Sequence, residues 1–403
     1  MAALGIAAVL WLVGCAPPPP PPFQTWVELD KPYRPLARSN NAFDGYVLAA
    51  ERAEALCPES LDRVSFTPGM ESRVLARLAS TMQGLEAASQ KSCQFEFRPS
   101  RPFDAPPFQR GWRLLGRALC WRIRDAIGLR NYDAAIRIAG VAMRFGFHLT
   151  GGGASDASLG FAIVNDARQT LCPALVDLNP DQLERLSSLT VRALRERPPL
   201  SRTLQHERLN MLAAVQYVQH AYRSGDYSEL KQKLGPLAQP VIRQLQQLAD
   251  QGGDERVRYF RGFAAEADDE VAWVAKQAGL LARQRSRPPE PEGERPWRRL
   301  AQSFFGTAFH LPALSDRCVA QTRLLALHAM AIAAIKRTGN APASISSLAE
   351  DLARDPYSGR PFVYAADGSD FRLYSVGEDG QDNGGESEEG HLRPDVTLEI
   401  GTP

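Results

Sequence analysis

From Asn40 to about Arg283, apolar residues return at helical spacing, and no stretch between them alternates as a strand does. This periodicity constrains the fold more than any other feature, because a chain of helices can bury its apolar stripes only against other helices. Phe43, Tyr46, Val47 and Ala50 share a face of the first helix, which Cys57-Pro58 closes. Val74, Leu75, Leu78 and Leu85 mark a second, from about Met70 to Ser89. Trp112 to Leu129 and Tyr132 to Leu149 read as a helical hairpin. Further helices are expected from Ala162 to Asp177, Asn179 to Arg195, Leu200 to Arg223, Ser228 to Asp250 and Glu255 to Arg283. The reading is a mainly α chain: an irregular helical-hairpin array over residues 40–284, with a small C-terminal α+β module over 313–403.

Two proline-rich stretches bound the array. Residues 16–39 read as a tether, and residues 285–312, with Pro288, Pro289, Pro291 and Pro296, as a linker. Apolar content of 44% and charged content of 23% fit a folded protein. The net charge of +1 supplies no field that would favour nucleic acid. It hides an asymmetry, since residues 366–400 hold ten acids against two arginines. Within the array, Arg130-Asn131-Tyr132-Asp133-Ala134-Ala135-Ile136 resembles the second-helix start of tetratricopeptide repeats, and Gly225-Asp226-Tyr227 echoes it. The two tyrosines do not stand a whole number of repeats apart, so the expected stack is irregular.

Met1 to Val13 is apolar and free of charged side chains. It is shorter than the roughly 20 residues of a membrane span and has the length of a signal-peptide core. It ends in Leu12-Val13-Gly14-Cys15, which resembles a bacterial lipobox. That resemblance implies cleavage before Cys15, acylation of Cys15 and attachment to a membrane through its lipid. A buried N-terminal helix is the alternative. Six prolines, Pro17 to Pro22, then form a stiff extended spacer. Residues 1–15 are thus expected to be a leader, and the protein to be lipid-anchored and extracytoplasmic in a bacterial envelope. Where two membranes are present, the absence of an aspartate after Cys15 favours the outer one.

No catalytic constellation emerges from the sequence. Thr150-Gly151-Gly152-Gly153 lacks the lysine of a phosphate loop and reads as a helix end, with Ser155 capping the next helix. His206-Glu207 has the beginning of a zinc-protease helix, but Asn210 stands where the second histidine is required. His148, His220, His310 and His328 lie on helical or apolar stretches and read as structural. Asp268, Asp269 and Glu270 read as a solvated helix face. Of the remaining cysteines, Cys57 and Cys93 flank one helical stretch and are the candidate disulfide, while Cys120 and Cys318 read as core residues.

After a buried helix from Cys318 to Lys336, the chain reads Asp355-Pro356-Tyr357-Ser358-Gly359-Arg360-Pro361-Phe362-Val363-Tyr364. Phe371-Arg372-Leu373-Tyr374-Ser375-Val376-Gly377-Glu378-Asp379-Gly380 follows, and then Gly384-Gly385. These motifs are similar to the globular part of major type II secretion pseudopilins over about residues 318–396. The resemblance implies one helix packed on a small antiparallel sheet, with calcium held in the C-terminal loop. Carried over by residue, Asp379, Asp382 and Asp395 supply the charge, with backbone carbonyls near Leu373 and Val376. A solvated acidic turn is the alternative. Pseudopilins carry this module directly after a membrane helix, whereas some 300 residues precede it here, so fibre assembly is not expected.

The expected function is that of a non-enzymatic structural or interaction protein of the envelope, with a protein partner. Alternatives are an accessory component of a type II secretion or pilus-like system, and an envelope hydrolase.

Overall fold

The computed structural model describes residues 40–95, 108–286, 308–385, 395–398 and 400. The leader with Cys15, the tether, most of the linker and the acidic insertion around Ser387 to His391 lie outside them. Helix α1 (Ala42–Leu56) starts where the Asn41 side chain accepts the Phe43 amide at 3.1 Å. Thr67 and Pro68 open α2 (Pro68–Ser89), with proline at a first-turn position where its missing N–H is harmless. Next come α3 (Gln109–Gly128), α4 (Tyr132–Leu149) and α5 (Ala154–Leu171). Asn179 and Gln182 cap each other's backbone at 2.9 and 3.0 Å to begin α6 (Pro180–Arg195). The array continues through α7 (Leu200–Ser224), α8 (Ser228–Leu234), α9 (Ala238–Ala249) and α10 (Gly253–Ala278). A last helix, α11 (Leu311–Thr338), precedes the two strands β1 (Val363–Asp367) and β2 (Asp370–Tyr374). The fold is mainly α with a small antiparallel pair near the C-terminus, as the periodicity predicts.

Helices pack pairwise: α1 on α2, α3 on α4, α4 on α5 and, across two intervening helices, α7 on α10. Trp112, buried at the centre, donates its indole N–H to the Tyr46 carbonyl at 2.9 Å, which ties α3 to α1. Helices α4 and α5 approach backbone to backbone. A Cβ on Gly160 would lie 2.3 Å from the Gly146 carbonyl, and one on Gly146 would lie 2.6 Å from the Gly160 carbonyl.

Helix α11 is gripped from both sides. Leu325, Ala329 and Ala333 belong to the core of the array, where α11 lies against α5 and α6. Ala320, Leu324 and Leu327 belong to a second core with Tyr357, Phe362, Leu373 and Val396. Burial on two faces explains the nearly continuous apolar run. By length and composition α11 could cross a bilayer, but 67% of its most apolar window is buried inside the protein, as in a core helix.

Asp355 builds its own turn in the cap. Its side chain accepts the Tyr357 amide at 2.9 Å, and its carbonyl accepts the Gly359 amide at 2.8 Å. Gly359 takes φ +70, a conformation that costs a side-chain-bearing residue. The strands pair from Val363↔Tyr374 to Asp367↔Asp370 around the Asp367-Gly368 connection. Ser375 and Val396 then exchange two backbone hydrogen bonds of 3.0 and 2.9 Å, which returns the chain end to the sheet.

Several expected features change. The helix from Ser228 to Asp250 is broken at Gly235-Pro236, because proline has no N–H to continue it. The helix expected at Ala162 starts earlier, at Ala154, and passes into a 3-10 turn at Cys172-Pro173. Cys57 and Cys93 are free thiols, as are Cys120 and Cys318. Ala42 donates to the Ser92 carbonyl, so Cys93 sits at the start of α1 and Cys57 at its end. A helix of 15 residues separates them by about 22 Å, far beyond the roughly 7 Å a disulfide allows.

Candidate functional site

Two groups of carboxylates hold chemistry: the terminal loop and the seam where α5 meets α7 and α10. In the loop, Asp395 is 3% exposed and is drawn in by the Ser375–Val396 bridge. Its Oδ2 accepts the amides of Asn383 and Gly385 at 3.0 and 2.9 Å. Its Oδ1 is buried with no hydrogen-bond partner among the described residues, and so is the Asn383 Nδ2. Burial raises the Asp395 carboxyl above its ordinary range, against the pull of those two amides. The nearby Asp382 and Asp379 charges push in the same upward direction.

The other two predicted ligands are turned to local work. Asp382 Oδ1 accepts the Tyr374 hydroxyl at 2.7 Å and the Gly384 amide at 3.0 Å, and these bonds hold its carboxyl low. Burial and the Asp382 carboxylate push the Tyr374 phenol up to about 12. Asp379 Oδ1 accepts the Gln381 amide at 3.0 Å. Gly385 takes φ +82 and lies so close to Tyr374 that a Cβ would sit 3.1 Å from the ring. Asp379, Asp382 and Asp395 thus share one loop but do not converge as they stand. Among the described residues no group of three His, Cys, Asp or Glu side chains has metal-holding geometry. What the loop does offer a hard cation is the orphaned Asp395 oxygen, with an Asn383 amide whose rotation would present a second.

The other group begins at the triglycine loop. Ser155 does not cap α5: the cap position is Gly153, and Ser155 exchanges hydrogen bonds with the Gln109 side chain. The first free amide, that of Ala154, is taken by Glu207 Oε2 at 2.7 Å, reaching across from α7. A carboxylate at a helix N-terminus meets both the unpaired amide and the positive end of the dipole. The glycines permit this approach, since a Cβ on Gly153 would lie 2.9 Å from Glu207 Oε2. Asn210 Nδ2 also donates to that oxygen, at 3.2 Å. The residue that departs from the zinc-protease pattern is therefore part of a tertiary helix cap.

Burial raises the Glu207 carboxyl (6% exposed) above its ordinary range, and other acids around it are raised as well. Burial and the Glu207 charge push Asp156 up to about 6 while Gln109 Nε2 donates to it at 2.7 Å. Burial, then the Glu207 and Glu266 charges, push Glu270 up to about 8, and its Oε1 is buried without a hydrogen-bond partner among the described residues. Glu270 is therefore not part of a solvated face. Asp268 and Asp269 are exposed as expected, and Asp268 pairs with Arg208 at 2.5 Å near the surface.

Two of the histidines are buried and engaged. His148 Nδ1 lies 2.7 Å from the Tyr46 hydroxyl, and burial lowers the imidazole to about 4. His328 Nδ1 lies 2.9 Å from the Leu324 carbonyl, and burial lowers it to about 4 as well. Compared with known proteins, the chain matches no family model, no curated protein and no solved structure.

Proposed function

We propose that this chain is a lipid-anchored, extracytoplasmic protein of the bacterial envelope, a helical scaffold for a protein partner, with a calcium-holding cap at its end. The leader ending at Cys15 and the six-proline spacer support the anchoring. The observation that carries the scaffold reading is the double burial of α11, which makes the terminal module a fixed cap on the helical array. A fibre subunit needs its helix free to pack on neighbouring copies, and here both faces of α11 are spent within the chain. A second reading, an accessory component of a type II secretion or pilus-like system, is favoured by the Asp355 turn and the Ser375–Val396 closure of the loop. Calcium would enter on Asp395 and draw Asp379 and Asp382 inward, six to eight oxygens being its usual shell.

One preparation tests these assignments. Grown in a bacterial host with labelled palmitate, the parent chain is expected to take up label and Cys15→Ser to take up none. A parent chain that stays unlabelled with its leader intact overturns the anchoring. On the purified chain, calcium is expected to raise the melting temperature by about 2–4 °C and to leave Asp395→Asn unmoved. Equal shifts in both remove calcium from the loop.

A further inference from the structure

Between α2, α4 and α6 runs a groove of about 640 Å³, lined by Gln83, Glu86, Gln90, Arg137, Arg144 and Arg192 with Ala87, Gly140, Val141 and Leu189 as its apolar wall. A space of this size suits a small organic ligand. Arg144 forms the floor and is only 4% exposed. One terminal nitrogen donates to Gln90 Oε1 at 3.0 Å, the other to Glu196 Oε2 at 2.5 Å. Its Nε is buried and has no acceptor among the described residues. Such an orphaned charged donor is costly unless something supplies an oxygen. Glu196 also accepts from Arg192 Nε at 2.9 Å, so one carboxylate holds two guanidiniums side by side. Arg137 stands on the opposite rim, paired with Glu86. Three guanidiniums face two carboxylates, which leaves one positive charge unmatched. Behind the floor, the neutral His148 is engaged by Tyr46 and does not compete.

We propose that this groove binds a small amphiphilic oxyanion: a phosphate or carboxylate group on the Arg144 and Arg192 forks, with a short hydrocarbon portion along Val141 and Leu189. Planar guanidinium forks match the oxygens of such a group in a way that a lysine would not. The proposal goes beyond envelope anchoring and does not depend on it.

The test is calorimetric titration of the full chain with hexyl phosphate, using inorganic phosphate and hexanol as the two halves of the probe. Hexyl phosphate is expected to bind more tightly than either half. Arg192→Gln and Arg137→Gln change half-exposed side chains and so spare the fold, whereas Arg144→Gln risks it. Arg192→Gln is expected to weaken binding about tenfold, the loss of one charged hydrogen bond. Arg77→Gln removes the same charge from a surface pair with Glu59 away from the groove and is expected to change nothing. No binding at millimolar hexyl phosphate, equal binding of hexanol, or equal weakening by Arg77→Gln overturns the site. Vesicles carrying phosphatidate displace the probe if the natural anion is a lipid headgroup and leave it bound if that anion is a soluble metabolite. Both results need an occupied groove and uphold the site.

Discussion

Glu207 serves two neighbours with opposite needs. Ionised, it completes the α5 terminus through the Ala154 amide, and its charge adds to the burial that keeps the Glu270 carboxyl protonated up to about 8. Between the ordinary value of 4.5 and about 8 the folded chain therefore binds more protons at Glu270 than the unfolded chain does, so this group's contribution to stability is lost as pH rises through that window. Glutamine is neutral throughout. Glu270→Gln is expected to gain about 1–3 kcal/mol over the parent near pH 8.5 and almost nothing near pH 5, read from urea unfolding at both pH values. A gain of the same size at both would mean that shape rather than charge is at work. Three imidazoles that burial lowers act in the other direction. His148, His206 and His328 are each lowered to about 4, so the stability they contribute is lost as pH falls below the ordinary 6.5. Little of this was legible in the sequence. Glu270 follows two exposed acids and looks solvated, and only the three-dimensional seam turns it inward. Arg144 did leave a trace, as the one charged side chain in the otherwise apolar run from Ile138 to Phe147.

At the scale of the helices, periodicity located nearly every element, because each stripe has a neighbour to cover it. The misses fall where local chemistry overrides the stripe, at Pro236 and Pro173. Close backbone approach was equally hidden, since glycine within a helix reads only as a weak helix former. The structure separates two kinds. Gly84 has open space where a Cβ would stand, so Gly84→Ala is expected to stabilise by about 0.5–1 kcal/mol through helix propensity. Gly160 faces the Gly146 carbonyl, and Gly160→Ala is expected to destabilise by about 1–3 kcal/mol by forcing α4 from α5. Thermal melts of the two variants should move in opposite directions. A stabilised Gly160→Ala would show that the crossing is looser than drawn.

For the whole molecule, the sequence divided the chain at its proline-rich stretch, while packing joins what lies on either side. Composition marks where a chain cannot be helical, but it carries no sign of which surfaces meet afterwards. The helix Leu311–Thr338 answers to both cores, with Leu325 on the array side and Leu324 and Leu327 on the cap side. The loop aspartates show the same limit: their positions were legible, whereas the pairing of Asp382 with Tyr374 and the isolation of Asp395 Oδ1 were not. That the cap is a fixed part of the scaffold can be read from native-state hydrogen exchange with rising denaturant. Peptides from α11, from β1–β2 and from α4–α6 are expected to lose protection together, in one cooperative opening. Loss of protection in β1–β2 and α11 at lower denaturant, with α4–α6 still protected, would contradict it.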